Sequence, residues 1–343
     1  MKVLFVAPSY HPHIGGVEYV VKSIAERLAK AHEVTVVAGE PYTDNPKEEI
    51  INGVKVVRWP VWSPGNAYHI PRRRSDLEKL LREQAIQADV THIHSVHCIF
   101  TVHAGLIIAS STASPKIVVT PHYHGTGHTV LRKVLWLPWR QRVAELLKKA
   151  VYVQAVSNRE ASLLAIHYPR IRGKIVVIPN GIDEDVLNYT WQGQTSDYMI
   201  YAGRIERYKR LQLAINIAKE LKLKLLVVGN GPYRDKLAKY ANSVYNGRVE
   251  FLEPQPREKY LDLVSKATYA VNPSKHEAYS IFTAEALAIG TPAITTREIA
   301  ENLEARTKPF IKDLVRVETA PIKTWSEVLL TYAEELYKSK RRR

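Results

Sequence analysis

Glu277 and Glu285 stand eight positions apart in "PSKHEAYSIFTAEALAIGTP" (273–292), where an apolar strand pattern gives way to an apolar helix pattern. In one continuous helix that spacing would turn the second carboxylate roughly 80° from the first, and Ser280, a helix-start residue, lies between them. The spacing predicts Glu277 in a loop and Glu285 in the first turns of a helix. The amides of residues 278–281 would then point at an anion held between the two carboxylates. Carboxylates suit sugar hydroxyls, because each can accept two hydrogen bonds. Plain helix-end electrostatics is the other reading of the pair.

Three further stretches carry groups that could bind an anion. "AGRIERYKR" (202–210) sets Arg204 at a strand end and Lys209 five residues later at the mouth of a helix; a guanidinium fork and an ammonium there could clamp two phosphates, or be ordinary surface charges. "VVGNGP" (227–232) supplies Gly229 and Gly231 in a flexible backbone loop suited to lying against a nucleoside. Gly15-Gly16 before a helix pattern would let backbone N–H groups approach an anion. No third glycine follows at dinucleotide-fingerprint spacing, and no P-loop lysine is present. Asp183-Glu184-Asp185 has a metal-binding spacing but falls in a connection between domains, and reads as a solvated acidic turn.

The elements that must position these groups alternate along the chain. Strand-like runs recur at 2–8, 33–39, 54–60, 89–95, 116–122, 151–157 and 174–180, and restart at 197–204, 224–231, 249–254, 267–273 and 291–296. A helix pattern covers 16–31, and helical stretches separate most of the other runs. Near-continuous apolar strands alternating with helices predict an α/β fold of parallel sheets covered on both faces. We expect two Rossmann-like doubly wound domains facing a central cleft: 1–180, completed by a C-terminal helix within 322–343, and 181–321, with a polar, turn-rich connection at 179–196. Ligands of such sheets sit outside the carboxyl ends of the strands. The residues just after each strand, among them His94, His122 and His124, are therefore the ones to examine.

Composition narrows the function classes. The 343 residues hold one cysteine, Cys98, which excludes a disulfide framework or a cysteine-built zinc site, suits a reducing compartment, and reads as inert core packing. No uncharged apolar run reaches the roughly 18 residues of a membrane span, and "MKVLFVAP" is too short for a signal peptide. The expected location is the cytoplasm. Net charge is +15, with 23 Lys/Arg against 13 Asp/Glu in residues 1–180 and a basic tail, "KSKRRR". That balance suits an anionic partner, yet no nucleic-acid-binding signature accompanies it. The segment 129–150 mixes Trp136, Trp139 and leucines with Arg132, Lys133, Arg140, Arg142, Lys148 and Lys149. It reads equally as a peripheral contact to an anionic membrane surface at the inner face, or as an amphipathic helix whose apolar side is core.

Taken together, "GGVE" (15–18), "DVTHIHS" (89–95), "VTPHYHG" (119–125), "IPNGID" (178–183), "AGRIERYKR", "VVGNGP" and "SKHEAYSIFTAEALAIGTP" resemble, in order and over about 280 residues, the retaining family-4 (group 1) glycosyltransferases of the two-Rossmann, GT-B type. The resemblance implies a retaining, metal-independent transfer of a hexose of mannose or glucose type from a nucleotide-diphosphate sugar to a lipid-linked or polysaccharide acceptor. No cofactor beyond the donor and no nucleic-acid partner is implied. By position, Arg204 and Lys209 would hold the donor diphosphate, and Glu285 the ribose hydroxyls. Glu277 and His122 would contact the transferred sugar. The amides of Tyr279, Ser280 and Ile281 would support its oxygens, and Gly16 would lie against the diphosphate. A nucleotide-sugar epimerase or hydrolase on the same fold is the alternative. Two departures stand out: Arg210 replaces the family's usual glycine after the lysine, and no Gly-Gly and Pro-Glu stretch follows Pro292.

Overall fold

The computed structural model describes residues 1–13, 15–64, 68–111, 115–125, 130–275, 277–311 and 313–337, with residues 130–135 as backbone alone. The basic tail 338–343 and the side chains of Arg132 and Lys133 therefore lie outside the described residues. The chain divides into two compact units, Met1–Pro179 with the segment from Trp325 onward, and Asn180–Thr324.

The first unit is built on one sheet. Its strands are β1 (Lys2–Ala7), β2 (Glu33–Glu40), β3 (Lys47–Ile51), β4 (Val54–Trp62), β5 (Ile70–Pro71), β6 (Val90–His94), β7 (Lys116–Thr120), β8 (Tyr152–Ala155) and β9 (Ile175–Val177). The order is β3-β4-β2-β1-β6-β7-β8-β9, parallel except for β3 and β5, which pair antiparallel with β4. Alternate residues of β1 enter opposite cores: Leu4 and Val6 on one face, Val3, Phe5 and Ala7 on the other. This two-sided burial is why β1 reads as a continuous apolar run. The helix Trp325–Thr331 and the π-helical turn Tyr332–Leu336 return to this unit, placing Trp325, Val328, Tyr332 and Leu336 in its second core.

In the second unit the strands are β10 (Tyr198–Ala202), β11 (Lys224–Val228), β12 (Val249–Leu252), β13 (Tyr269–Asn272), β14 (Ala293–Thr296), β15 (Thr307–Pro309) and β16 (Leu314–Val317), in the order β12-β11-β10-β13-β14-β16-β15. The stretch after Pro292 that departs from the family pattern forms a short helix, Arg297–Asn302, and then β15 and β16, which extend the parallel sheet antiparallel along its edge. The residues expected to form a polar connection are docked instead. Val186 is fully buried, Trp191 Nε1 donates to the Ala267 carbonyl at 2.9 Å, and the Gln192 amide donates to the Ser265 carbonyl at 2.8 Å.

Chain order reverses direction across each sheet between β1 and β6, and between β10 and β13. These are the switch points at which the loops after neighbouring strands diverge and leave a crevice.

Candidate functional site

In the second unit, Lys209 from the loop after β10 meets Glu277 from the loop after β13. Lys209 sits in the 3₁₀ turn Arg207–Lys209, and its Nζ donates to Glu277 Oε1 at 2.6 Å. The two side chains are 15% and 11% exposed. Burial alone would lower the Lys209 pKa, but the Glu277 carboxylate, with Tyr201 and Tyr208 nearby, outweighs it and holds the ammonium above its ordinary value. The Lys275 amide donates to the Tyr208 carbonyl at 3.3 Å, and Asn302 Nδ2 donates to the Glu277 carbonyl at 2.6 Å, so backbone contacts fix both loops.

Ser280 is the N-cap of the helix Ile281–Ile289, its hydroxyl accepting from the Thr283 amide, and Asn272 Nδ2 donates to that hydroxyl at 2.8 Å. Glu277 is accordingly in the loop and Glu285 in the second turn, as the eight-residue spacing predicts. Glu285 is 3% exposed and already carries two protein contacts: Arg257 Nη1 donates to Oε1 at 2.5 Å, and the Tyr260 hydroxyl to Oε2 at 2.6 Å. Burial raises its pKa against the pull of Arg257 and Tyr260.

Arg257 belongs to this cluster although no motif in the sequence marks it. It opens the helix Arg257–Ser265 and reaches Asp185 through two hydrogen bonds of 2.9 Å while holding Glu285. The acidic triplet 183–185 is thus not a simple solvated turn, because Asp185 anchors the arginine that orients Glu285. Position just after the strand-like run 249–254 was the available signal. Arg204, by contrast, is 56% exposed and paired with Glu206.

The glycines of the loop after β11 differ from expectation. Gly229 has φ of 134°, and an added Cβ would strike the Gly203 carbonyl; one on Gly231 would strike the Ile205 carbonyl. The Gly203 amide donates to Val228 O at 3.0 Å, and the Ile205 amide to Asn230 O at 2.9 Å. The loop is packed against its neighbour rather than flexible, and its glycines serve that close approach.

In the first unit, Gly15 is the N-cap of the helix Gly16–Leu28, and a Cβ on Gly16 would meet nothing within 4 Å among the described residues. Internal packing therefore gives no reason for glycine at 16. His122 follows β7 in the left-handed region (φ 50°), a conformation that non-glycine residues hold only where surroundings enforce it. Its neighbours do so: the Val96 amide donates to Pro121 O at 3.0 Å, and the Tyr123 amide to Glu160 Oε1 at 2.5 Å. Glu160 also accepts from the Val156 amide at 2.7 Å, and burial pushes its pKa up to about 7 despite those two donors. His122 Nε2 lies 3.2 Å from His94 Nδ1. Burial lowers the pKa of His94 well below the usual imidazole range, that of His122 to about 4 and that of His92 to about 3.

The tryptophans of 129–150 fall on the core side. Trp136 is 8% exposed and packs against His97 with ring centroids 4.6 Å apart and planes tilted by 30°, and Trp139 Nε1 donates to the Val96 carbonyl at 3.0 Å. Neither ring is free to sit at a headgroup boundary. Among the described residues, no helix is long and apolar enough to cross a membrane.

Two doubly wound, mainly parallel sheets, each with a switch point, are the units of the GT-B glycosyltransferase architecture, and solved structures of that class share the fold. The chain superposes on Anabaena HepE in complex with UDP-glucose with TM-score 0.69 and 15% identity, covering 98% of this chain and 90% of that one. For the sucrose-phosphate synthase of Thermosynechococcus elongatus the TM-score is 0.66 at 17% identity, covering 87% and 82%. The model for glycosyltransferase family 4 matches residues 14–186, and that for glycosyl transferases group 1 matches residues 192–306. The chain belongs to this glycosyltransferase family. Among its curated relatives, a GDP-mannose-dependent alpha-mannosyltransferase of Mycolicibacterium smegmatis is 26% identical over 86% of this chain and 79% of its own length. A GDP-mannose:cellobiosyl-diphosphopolyprenol alpha-mannosyltransferase of Xanthomonas oryzae is 24% identical over 84% and 77%.

Proposed function

We propose that the protein is a retaining, metal-independent hexosyltransferase that moves a mannose- or glucose-type sugar from a nucleotide-diphosphate donor to a lipid-linked or polysaccharide acceptor. The observation that carries this reading is the Lys209–Glu277 pair at the switch point between β10 and β13. A fixed ammonium there stabilises negative charge on a departing diphosphate, which is the largest electrostatic demand of the reaction. Arg204 supplies a second, solvent-facing cation. Glu277, oriented by Lys209, accepts from hydroxyls of the transferred sugar, and Glu285, oriented by Arg257, accepts from the ribose with its remaining lone pairs. With the leaving group neutralised by side chains, a divalent ion has no necessary role. The open space over Gly16 suits close backbone approach to an anion.

The printed activities of the relatives make GDP-mannose the first donor to test, and the ligand of Anabaena HepE makes UDP-glucose the second. Peripheral membrane contact, in this reading, rests on the exposed Lys148 and Lys149 rather than on the tryptophans. Calorimetric titration with GDP and UDP in EDTA tests the site. We expect binding without metal, weakened in Arg204→Ala by about 1.5–3 kcal/mol, the usual value of a charge-assisted contact. Binding of neither nucleotide, or binding that appears only with manganese, contradicts it.

A further inference from the structure

We infer that His122 offers a ligand a neutral N–H donor at Nδ1, and that buried His94 is the positioning residue that fixes this tautomer by donating from its own Nδ1 to His122 Nε2. The inference rests on the proposed reading of the site for one point only, that the ligand atom is a sugar oxygen.

The proton on each ring follows from its partners, beginning at a group that can only accept. The Ile178 carbonyl accepts from Gln154 Nε2 at 2.9 Å, which fixes the amide of Gln154. Gln154 Oε1 must then accept both the Thr120 and the Tyr332 hydroxyl protons, each across 2.7 Å. Thr120 has spent its only proton, so its oxygen accepts from His92 Nε2–H at 2.6 Å. His92 Nδ1 is left as the acceptor for the Tyr337 hydroxyl at 2.7 Å. His92 is therefore a neutral ring with both nitrogens engaged, and it has neither proton nor lone pair to offer His94.

His94 is fully buried, and its Nε2 has no hydrogen-bond partner among the described residues. Its aromatic neighbours Phe5, His92 and His122 are tilted by 37°, 37° and 31°, closer to parallel than to edge-on, so none turns a ring face toward the Nε2 edge. Two tautomers are possible. In one, Nε2 carries the proton and a buried N–H is orphaned. In the other, Nδ1 carries it and donates to His122, leaving only a lone pair unmet. Orphaned buried N–H groups are the rarer of the two defects, and the tautomer of a histidine follows the hydrogen bond made by its other nitrogen. The second arrangement gives His122 an acceptor at Nε2 and hence a proton at Nδ1. His122 then hydrogen-bonds a sugar oxygen as a donor and has no free basic nitrogen with which to remove a proton. Burial keeps both rings neutral.

Two-bond ¹H–¹⁵N spectra of the full chain labelled with [¹⁵N]histidine test the tautomers directly, with His94→Asn and His122→Ala spectra giving assignment. We expect Nδ1–H patterns for His94 and His122 at neutral pH. A protonated Nε2 on His94, or an imidazolium at either ring, overturns the inference. Kinetics separate positioning from packing. The amide of Asn places an N–H near the position of Nδ1, so His94→Asn should retain nucleotide-sugar turnover. His94→Leu fills the space but cannot donate, leaves the His122 tautomer unfixed, and should lower kcat by up to about tenfold, the equivalent of one neutral hydrogen bond, with KM little changed. Equal turnover in the Leu and Asn variants also overturns it. If the wild type turns over no nucleotide-sugar, the proposed function fails and the spectra alone decide the tautomers.

Discussion

Lys209 Nζ and Glu277 Oε1 are joined at 2.6 Å across the switch point of the second sheet, and this side-chain contact, beside the Lys275 amide to Tyr208 carbonyl bond, links the loop after β10 to the loop after β13. With both side chains largely shielded, removing one partner leaves the other charge uncompensated, a loss of about 3–5 kcal/mol for a buried pair. Lys209→Ala and Glu277→Ala should each lower the melting temperature and abolish sugar transfer. Replacing the pair together, as Lys209→Met with Glu277→Leu, should restore thermal stability without restoring transfer. A double variant that still transfers sugar would reduce the pair to architecture.

Arg210 adopts the left-handed conformation (φ 55°, ψ 35°) directly after Lys209, which explains why glycine is usual there in the family. A non-glycine residue pays about 1–2 kcal/mol for that geometry. Its partly exposed ion pair with Asp313 at 3.0 Å returns only about 0–1 kcal/mol. Arg210→Gly should leave the melting temperature unchanged or raise it by a few degrees. A fall of several degrees would show that the pair with Asp313 outweighs the strain.

Trp136→Ala should cost about 3–5 kcal/mol, the range for emptying a buried aromatic site, and should leave sedimentation with anionic vesicles unaltered. Lys148→Glu with Lys149→Glu should do the reverse, lowering sedimentation at low salt and sparing the melting temperature. Retained stability with lost vesicle binding in the Trp variant would return that ring to the membrane reading.

Glu160 gives a pH signature. Its folded pKa is raised from 4.5 to about 7, so its contribution to stability is fully present below the unfolded value and is lost as pH rises through about 7. The total is on the order of 3 kcal/mol. Glu160→Gln cannot titrate, and its own offset is independent of pH. The melting temperature of the wild type relative to this variant should therefore fall between pH 4.5 and 8. Parallel curves would place the Glu160 pKa near its ordinary value.

Much of this arrangement is legible in the chain itself. Apolar runs such as β1 and β11 are buried on both faces, so their composition alone announces parallel strands, and helix-cap chemistry at Ser280 separates Glu277 from Glu285 before any coordinates are known. The edges were not legible. β3 is the charged run "KEEII", and β15 has three exposed residues, so neither carries the apolar signal of a central strand. Partnerships between distant residues were equally hidden. Arg257 reaches Asp185 and Glu285 from positions 72 and 28 residues away, and Tyr337 reaches His92 from 245 residues away, separations that no local pattern encodes. The glycines at 229 and 231 permit one loop to pack on another, a close approach that the local sequence does not distinguish from conformational freedom.

The most direct test of the account is turnover of GDP-mannose and UDP-glucose by the wild-type protein in excess EDTA, with extracted polyprenyl-linked and oligosaccharide acceptors, following nucleoside diphosphate and the anomeric proton of the product by NMR. We predict acceptor-dependent release of the diphosphate, a product that keeps the α configuration of the donor, and loss of both signals in Lys209→Ala. An inverted anomeric centre, an absolute need for manganese, or nucleotide release that ignores every acceptor would contradict it.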